Sequence, residues 1–481
     1  MARDDLPDTQ GATQSQQSQF WANIESQPIE SIVWGRLYAK NIRLKSLGMT
    51  KYYKILVANS PLSCDLCKPI LKSGRAETND LVLTSKELPD EVLCRISKIH
   101  FQITRELSDL SNPVYIQDLS RNGTFVNGEK IGLNNKRILQ NYDVISLSHP
   151  QYKAFVFKDL GPNEAQGLPQ EICSQYYISR KLGSGACGVV RLVYDKRTCK
   201  DYAMKHVQKN QLANSTSVKK LNDPKRVMNE ANIMMALEHP CVIKMHDIVD
   251  MPDSVYMVLE FMKGGDLLTR IITQQNKRLS ERTSKLYFYQ MCHAVKYLHD
   301  KGITHRDLKP DNVLLETNDE ETLLKVSDFG LSKFVRKDSV MRTLCGTPLY
   351  VAPEILATGG RGAYTKKVDV WSLGVVLFTC LSGTLPFSDE YGCPASEQIK
   401  KGDFSFRHPS WNSISTAAKS LIRDMLTVNP SQRPSINTIL RHKWLRDPEI
   451  VKKANNLMKL TVTSDSDDEN FLEPPKKRMR R

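Results

Sequence analysis

His305-Arg306-Asp307-Leu308-Lys309-Pro310-Asp311-Asn312 runs unbroken, and Asp328-Phe329-Gly330 begins sixteen residues after Asn312. These residue types suit one kind of chemistry. Asp307 can accept the proton of an attacking hydroxyl, and Lys309 can reach a phosphate in transit. Asn312 and Asp328 are hard oxygen ligands of the kind Mg²⁺ takes alongside phosphates. A γ-phosphoryl in flight carries its charge on equatorial oxygens, so its transfer from ATP needs positioning and charge neutralisation above all. Arg306, beside Asp307, implies that activity waits for a second negative charge.

Elements that could position these groups lie upstream. Gly183-Ser184-Gly185-Ala186-Cys187-Gly188-Val189-Val190 fits G-x-G-x-x-G-x-V between two strand-like runs, Tyr177-Ile178 and Arg191 to Tyr194. A strand–turn–strand hairpin can lie over phosphates, whereas a strand-to-helix loop would suit a dinucleotide. Lys205 closes the apolar stretch Tyr202-Ala203-Met204, and Glu230 falls in a segment with helical apolar spacing. A Lys205–Glu230 ion pair would hold the α- and β-phosphates.

Residues 176–445 together resemble a eukaryotic serine/threonine protein kinase. The resemblance implies a small β-rich lobe over a larger helical lobe, with ATP between them. It assigns Asp307, Lys309, Lys205 and Glu230 to catalysis, and Asn312 and Asp328 to Mg²⁺. Gly183, Gly185, Gly188, Val190, Lys205, Glu260 and Met262 become the nucleotide contacts, the last two through a hinge after Val255 to Leu259. Ala352-Pro353-Glu354 matches the end of an activation segment, and Glu354 has a candidate partner in Arg433. Asp369-Val370-Trp371-Ser372-Leu373-Gly374 matches a buried central helix, and the apolar run Val370 to Leu381 is too short to span a bilayer.

At 481 residues, 40% hydrophobic and 25% charged, the chain has room for two or three globular domains. No run approaches a membrane-spanning length, and Met1 to Asp5 lacks a signal-peptide core, so a cytosolic or nuclear protein is expected. The eleven cysteines form no regular framework, which predicts reduced thiols, and Cys64-Asp65-Leu66-Cys67 reads as two unrelated thiols. The net charge of +15 includes five cations in the last six residues, and no nucleic-acid-reading motif accompanies it.

Residues 1–29 read as disordered, with six glutamines and five Ser/Thr-Gln pairs, Thr9-Gln10 and Thr13-Gln14 among them. From 30 to 160 the pattern changes to short β-branched or aromatic runs: Ile32-Val33-Trp34, Leu81-Val82-Leu83, Ile99 to Ile103, Val114-Tyr115-Ile116 and Ala154 to Phe157. Asn127-Gly128 after Thr124-Phe125-Val126 signals a tight hairpin. The pattern predicts a β-sandwich. Three loops, Gly74-Arg75, Ser97-Lys98-Ile99-His100 and Ser120 to Asn127, resemble those of a forkhead-associated domain, a reader of phosphothreonine. The resemblance gives phosphate contacts to Arg75, Ser97 and Lys98, ligand-backbone contacts to Asn122, and a bracing role to His100. The stretch from 48 to 72 is long for this family and reads as an inserted loop.

The expected architecture is therefore multidomain: a β-sandwich forkhead-associated domain, a linker at 161–175, a two-lobed α+β kinase domain at 176–445, and disordered N- and C-terminal tails. That order resembles the checkpoint kinase 2 family. The likeness implies a non-specific serine/threonine protein kinase of the DNA-damage checkpoint, acting in cell-cycle arrest, DNA repair and apoptosis. An upstream DNA-damage-sensing kinase would phosphorylate Thr9 or Thr13, other phosphothreonine proteins could also dock, and a transient homodimer would phosphorylate Thr343 in trans, with Thr347 secondary. Asp266 and Asp311 match positions that read arginine, which predicts Arg-x-x-Ser/Thr substrates. Neither direct nucleic-acid binding nor membrane association is expected. Pro474 to Arg481 resembles a nuclear import signal in the 446–481 tail, placing the protein in the nucleus. Pro448 to Leu460 is basic and amphipathic, and reads as a last helix on the large lobe. A calcium-regulated kinase and a phosphothreonine-dependent scaffold with a silent kinase domain are the alternatives. Ser464 and Ser466, ahead of Asp467-Asp468-Glu469, resemble acid-directed phosphorylation sites.

Overall fold

The computed structural model describes residues 32–40, 63–185, 188–208, 233–329, 349–358 and 365–467. It divides into two compact units, residues 1–181 with 191–201, and residues 182–190 with 202–481.

The first unit is built on a sandwich of two sheets. One runs β2-β1-β11-β10-β7-β8, from β1 (Gly35–Ala39), β2 (Ser63–Leu66), β7 (Thr124–Val126), β8 (Glu129–Lys130), β10 (Val144–Leu147) and β11 (Lys153–Asp159). The other runs β4-β3-β5-β6-β9, from β3 (Ile70–Gly74), β4 (Leu81–Val82), β5 (Phe101–Thr104), β6 (Val114–Asp118) and β9 (Lys136–Leu139). Period-two alternation makes the core, because side chains on a strand point to alternate faces. In β6, Val114 and Ile116 turn inward to join Trp34, Leu37, Phe101, Ile103, Phe155 and Phe157, and all are inaccessible to solvent. Phe101 meets Phe155 edge-on with ring centroids 6.2 Å apart. The Asn127-Gly128 turn forms as expected, both residues at positive φ, and sets Phe125 opposite Lys130.

Two expectations shift. Ile32-Val33-Trp34 precedes its strand rather than forming it: Trp34 is a core anchor, and pairing with β11 begins at Gly35. Part of the expected insertion forms strand, residues 63–66 and 70–72, joined by a bend at 67–69. Ser63–Leu66 pairs with β1 as an edge strand, and Ile70–Gly74 lies between β4 and β5 inside the other sheet.

The first unit also includes residues 176–181 and 191–201, from β12 (Tyr176–Gly185) and β13 (Gly188–Asp195). They meet the sandwich through Ser179 Oγ and Ser111 Oγ at 3.1 Å, Arg180 and Asp109 at 3.2 Å, and a 3.3 Å bond from the Tyr194 hydroxyl to Asn112. The expected linker is partly helical, with Ile172 of Gln170–Gln175 fully buried.

In the second unit, β14 (Asp201–Gln208), β15 (Met245–Asp250) and β16 (Ser254–Glu260) are antiparallel neighbours in the order β14-β16-β15. Helices follow: α1 (Leu267–Ile272), α2 (Glu281–Asp300), α3 (Pro353–Ala357), α4 (Lys367–Ser382), α5 (Thr416–Met425) and α6 (Pro448–Asp467). A two-stranded ribbon, β17 (Val313–Leu315) with β18 (Leu324–Val326), lies between α2 and α3 in the chain. Val368 through Ser382 of α4 are all buried, as befits a helix apolar on every side. Its hydroxyls stay satisfied by bonding back one turn, Ser372 to Val368, Thr379 to Val375 and Ser382 to Phe378. Gly383, at φ +74°, ends the helix in a left-handed cap.

α6 lies against α2. Ile450, Ala454 and Met458, at four-residue spacing, enter the core, and Arg282–Glu449 and Lys285–Asp447 pairs flank them. The amphipathic stretch is thus a last helix whose apolar face is already covered. Among the described residues no helix is long and apolar enough to cross a membrane.

Candidate active site and phosphate-reading loops

The loop from His305 to Asn312 follows α2 and is held from below by one carboxylate. Asp369, near the start of α4 and inaccessible to solvent, accepts from the backbone N–H of His305 at 2.9 Å and of Arg306 at 2.8 Å. Its Oδ2 also lies 2.7 Å from His299 Nε2. His305 ties the loop onward: Nε2 lies 2.8 Å from the Ser327 carbonyl, and Nδ1 accepts from the Asp307 N–H at 3.3 Å. Arg306 and Asp328 both adopt left-handed backbone, at φ +73° and +62°. Such conformations cost about 1–3 kcal/mol each and persist where surrounding contacts over-determine them. Asp369 and His305 supply those contacts around Arg306.

Four sequence-predicted residues converge here. Asp307 presents an exposed carboxylate with Lys309 Nζ 3.3 Å away. Asn312, in the turn Pro310–Asn312, donates its amide to the Asp307 carbonyl at 2.6 Å and to Asp307 Oδ2 at 3.1 Å. This leaves Asn312 Oδ1 as the atom for a cation. Asp328 directs both carboxylate oxygens at Lys205 Nζ, 2.8 and 2.7 Å away. The donor set is therefore oxygen-rich with one ammonium, which fits Mg²⁺ and phosphate. Glu230, the expected partner of Lys205, lies outside the described residues, as do Thr343 and Thr347.

Around this centre, Gly188 sits at φ +132°, and a Cβ there would fall 2.0 Å from the His206 carbonyl, so only glycine lets the strand pass. Gly183 and Gly185 end β12, and Val190 lies on β13. Glu260 closes β16 with its N–H given to the Lys244 carbonyl, while its carboxylate binds the Lys244 N–H and Lys325 Nζ. Met262 is buried just beyond. Asp266 caps α1, accepting from Thr269 N at 2.7 Å and Thr269 Oγ1 at 2.9 Å, and Asp311 is exposed. Glu354 meets Arg433 through two 3.0 Å bonds, with the Arg433 guanidinium stacked over Trp371.

A second convergence lies at one end of the sandwich. A Cβ on Gly74 would fall 2.4 Å from the Lys98 carbonyl, so glycine lets this strand end lie against the Ser97-Lys98 loop. Arg75 and Ala76 donate their N–H groups to the Ser97 and Lys98 carbonyls, and Asn79 Nδ2 binds Lys98 O at 2.6 Å. His100, fully buried, accepts the Ser97 N–H on Nδ1 and places Nε2 3.3 Å from the Gly123 carbonyl. Burial pulls its pKa below 6.5, which keeps the ring neutral for that acceptor role. Asp118 holds the third loop from inside, accepting from Ser120 and Thr124 hydroxyls, and Ser97 Oγ accepts from Arg121 N. Asn122 reaches the Arg95 carbonyl at 2.7 Å. Arg75 and Lys98 remain exposed, giving a cationic rim open to a phosphate.

Sequence reasoning gave no role to Asp369 or Asp118. Asp118 sits between buried Ile116 and Ser120, and Asp369 between buried Val368 and Val370, so each carboxylate needs an internal partner.

Comparison with known families matches a protein kinase domain over residues 176–445 and an FHA domain over residues 71–148. The chain is 68% identical over 481 residues to the ovarian-specific serine/threonine-protein kinase Lok of Drosophila melanogaster, across the full length of both. It is 36% identical to the serine/threonine-protein kinase chk-2 of Caenorhabditis elegans, over 76% of this chain and 75% of that one. The serine/threonine-protein kinase cds1 of Schizosaccharomyces pombe is 33% identical, over 84% and 88%. Among solved structures, residues 1–466 of Rad53 in complex with AMP-PNP superpose with a TM-score of 0.54 at 28% identity, covering 86% of this chain and all of that one.

Proposed function

The chain belongs to the protein kinase family, among the checkpoint serine/threonine kinases that carry an FHA domain, and from that premise we propose how its parts act together. Asp307 takes the proton of a substrate serine or threonine hydroxyl while Lys309 balances charge on the phosphoryl in transit. Asn312 and Asp328 would hold Mg²⁺, which neutralises the β- and γ-phosphate oxygens when bound. Lys205 exchanges Asp328 for the nucleotide phosphates. The adenine would take its contacts from the Glu260 carbonyl and from Met262, since the Glu260 N–H is already given to Lys244. One observation carries this reading: Asp307, Lys309 and Asn312 are bonded into one loop, and Asp328 is paired with Lys205.

Substrate choice follows from Asp266 and Asp311, which favour an arginine three residues before the acceptor. Val340 and Leu344 occupy that position relative to Thr343 and Thr347, so the activation segment is a poor substrate in dilute solution. Pairing overcomes this. After DNA damage an upstream kinase phosphorylates Thr9 or Thr13, and Arg75, Ser97, Lys98 and Asn122 of a second copy bind that phosphothreonine. The kinase domains then meet at effective concentrations on the order of mM. Thr343 becomes phosphorylated in trans, and its phosphate pairs with Arg306. The basic end, Pro474 to Arg481, carries the protein to the nucleus.

The test compares wild type, Asp307→Ala and a Thr9→Ala/Thr13→Ala double variant. Peptide phosphorylation should vanish in the first variant, and damage-dependent Thr343 phosphorylation in the second. Peptides with and without arginine at the third position before the acceptor check the substrate reading. Unchanged Thr343 phosphorylation in the double variant rejects the relay while leaving the kinase activity standing.

A further inference from the structure

The first unit contains a cleft of about 360 Å³. Its walls carry Lys130, Lys136, Arg137, Lys196 and Arg197 against a single carboxylate, Glu129. That carboxylate is engaged by Arg137 at 2.8 Å. Five cations less one carboxylate leave a local charge of +4. Lys196 is half-buried, and its ammonium is held by neutral acceptors, Gln140 Oε1 at 2.7 Å and the Cys173 carbonyl. Lys130, Lys136 and Arg197 are exposed, and none makes an ion pair among the described residues. A concave surface of one sign focuses its field and concentrates anions.

The lining distinguishes between anions. It holds no aromatic side chain on which a base could stack, the contact that single-stranded nucleic acid seeks. Ile131 and buried Ile138 offer an apolar floor suited to a peptide's side chain. The chain itself supplies a matching ligand in Ser464-Asp465-Ser466-Asp467-Asp468-Glu469. α6 ends at Asp467 without a basic residue in its last turn. Negative charge at a helix C-terminus opposes the macrodipole, so phosphates on Ser464 and Ser466 would melt that turn and release the segment.

We propose that this cleft binds the phosphorylated Ser464–Glu469 segment of a second copy of the chain, as a phosphate-reading site separate from Arg75. An acid-directed kinase prepares the ligand. The serine Oγ forms a bond to the γ-phosphorus of ATP, the bond from that phosphorus to the bridging oxygen breaks, ADP leaves, and the hydroxyl proton passes to that kinase's base. The doubly phosphorylated segment then places its phosphates against Lys196 and Arg197, with the carboxylates facing Lys130 and Lys136. The proposal does not depend on the catalytic activity of the chain.

A labelled peptide copying residues 461–472, phosphorylated on both serines, tests this by fluorescence anisotropy against the full chain. Saturable, salt-sensitive binding is expected, weakened at least about tenfold without the phosphates or in Lys196→Gln/Arg197→Gln. Lys130→Gln/Lys136→Gln alters only exposed side chains and should weaken binding as well, which separates lost contacts from lost folding. Arg75→Ala should leave affinity unchanged. The proposal is overturned if the peptide fails to saturate, if both lysine-bearing double variants bind like wild type, or if Arg75→Ala abolishes binding.

Discussion

Lys205 and Asp328 are joined by two hydrogen bonds, 2.8 and 2.7 Å long, and the lysine is 6% exposed. Nucleotide phosphates must compete with that carboxylate for the ammonium. Removing Asp328 strands a buried cation, so Asp328→Ala should destabilise the nucleotide-free protein by about 3 kcal/mol. Asp307→Ala removes an exposed carboxylate together with its bond from Asn312 and should cost less, about 1 kcal/mol. Both variants should lose at least about a hundredfold in turnover. Denaturant unfolding beside a peptide assay separates the two, and equal unfolding midpoints would contradict the pairing.

Asp369 accepts from two consecutive catalytic-loop N–H groups in a buried setting. Asp369→Ala leaves both donors without an acceptor, at about 1–3 kcal/mol each. Activity should fall along with stability, although residue 369 touches no substrate. Asp369→Asn keeps one carbonyl oxygen and should recover part of the stability. A fully active, fully stable Asp369→Ala protein would rule out the anchoring role.

Two glycines of the sandwich make a contrast. A Cβ on Gly74 would strike backbone at 2.4 Å, whereas one on Gly128, at φ +87°, meets nothing within 4 Å. Gly128→Ala should cost about 1 kcal/mol, from backbone conformation alone. Gly74→Ala should push the Ser97-Lys98 loop outward and weaken phosphothreonine-peptide binding at least about tenfold, while Gly128→Ala leaves binding intact. Calorimetric titration of both variants decides.

His100 should titrate below its ordinary value of 6.5, because burial penalises the charged ring. The unfolded chain gains that proton first as pH falls, so it binds more protons than the folded chain. The stabilisation is therefore complete above 6.5 and declines as pH drops toward the folded pKa. Imidazole resonances followed by NMR should give a midpoint under 6.5, with lower stability at about pH 5.5 than at about pH 7.5. A midpoint at or above 6.5 would refute the buried, neutral ring.

The meeting of Asp307, Lys309 and Asn312 was legible because all three fall in one short run of the chain. The Asn127-Gly128 turn was legible because few sequences tolerate positive φ twice in succession. Less was visible where long-range pairing decides the outcome. Nothing local in Ser63–Leu66 says that it borders β1, and a loop reading followed. The pairing of Lys205 with Asp328 joins residues 123 apart, which spacing alone cannot disclose. Asp369 was hidden by its apolar surroundings, which drew attention to the helix instead of to the carboxylate within it.

The kinase-family match ends at residue 445, but the folded body does not. Ile450, Ala454 and Met458 of α6 close over α2 and seal the core beyond that boundary. A protein cut after Leu445 would retain every residue implicated in chemistry and still uncover a greasy strip along α2. Such a strip invites self-association. Recombinant yield would then track the position of the cut more closely than any substitution in the active site.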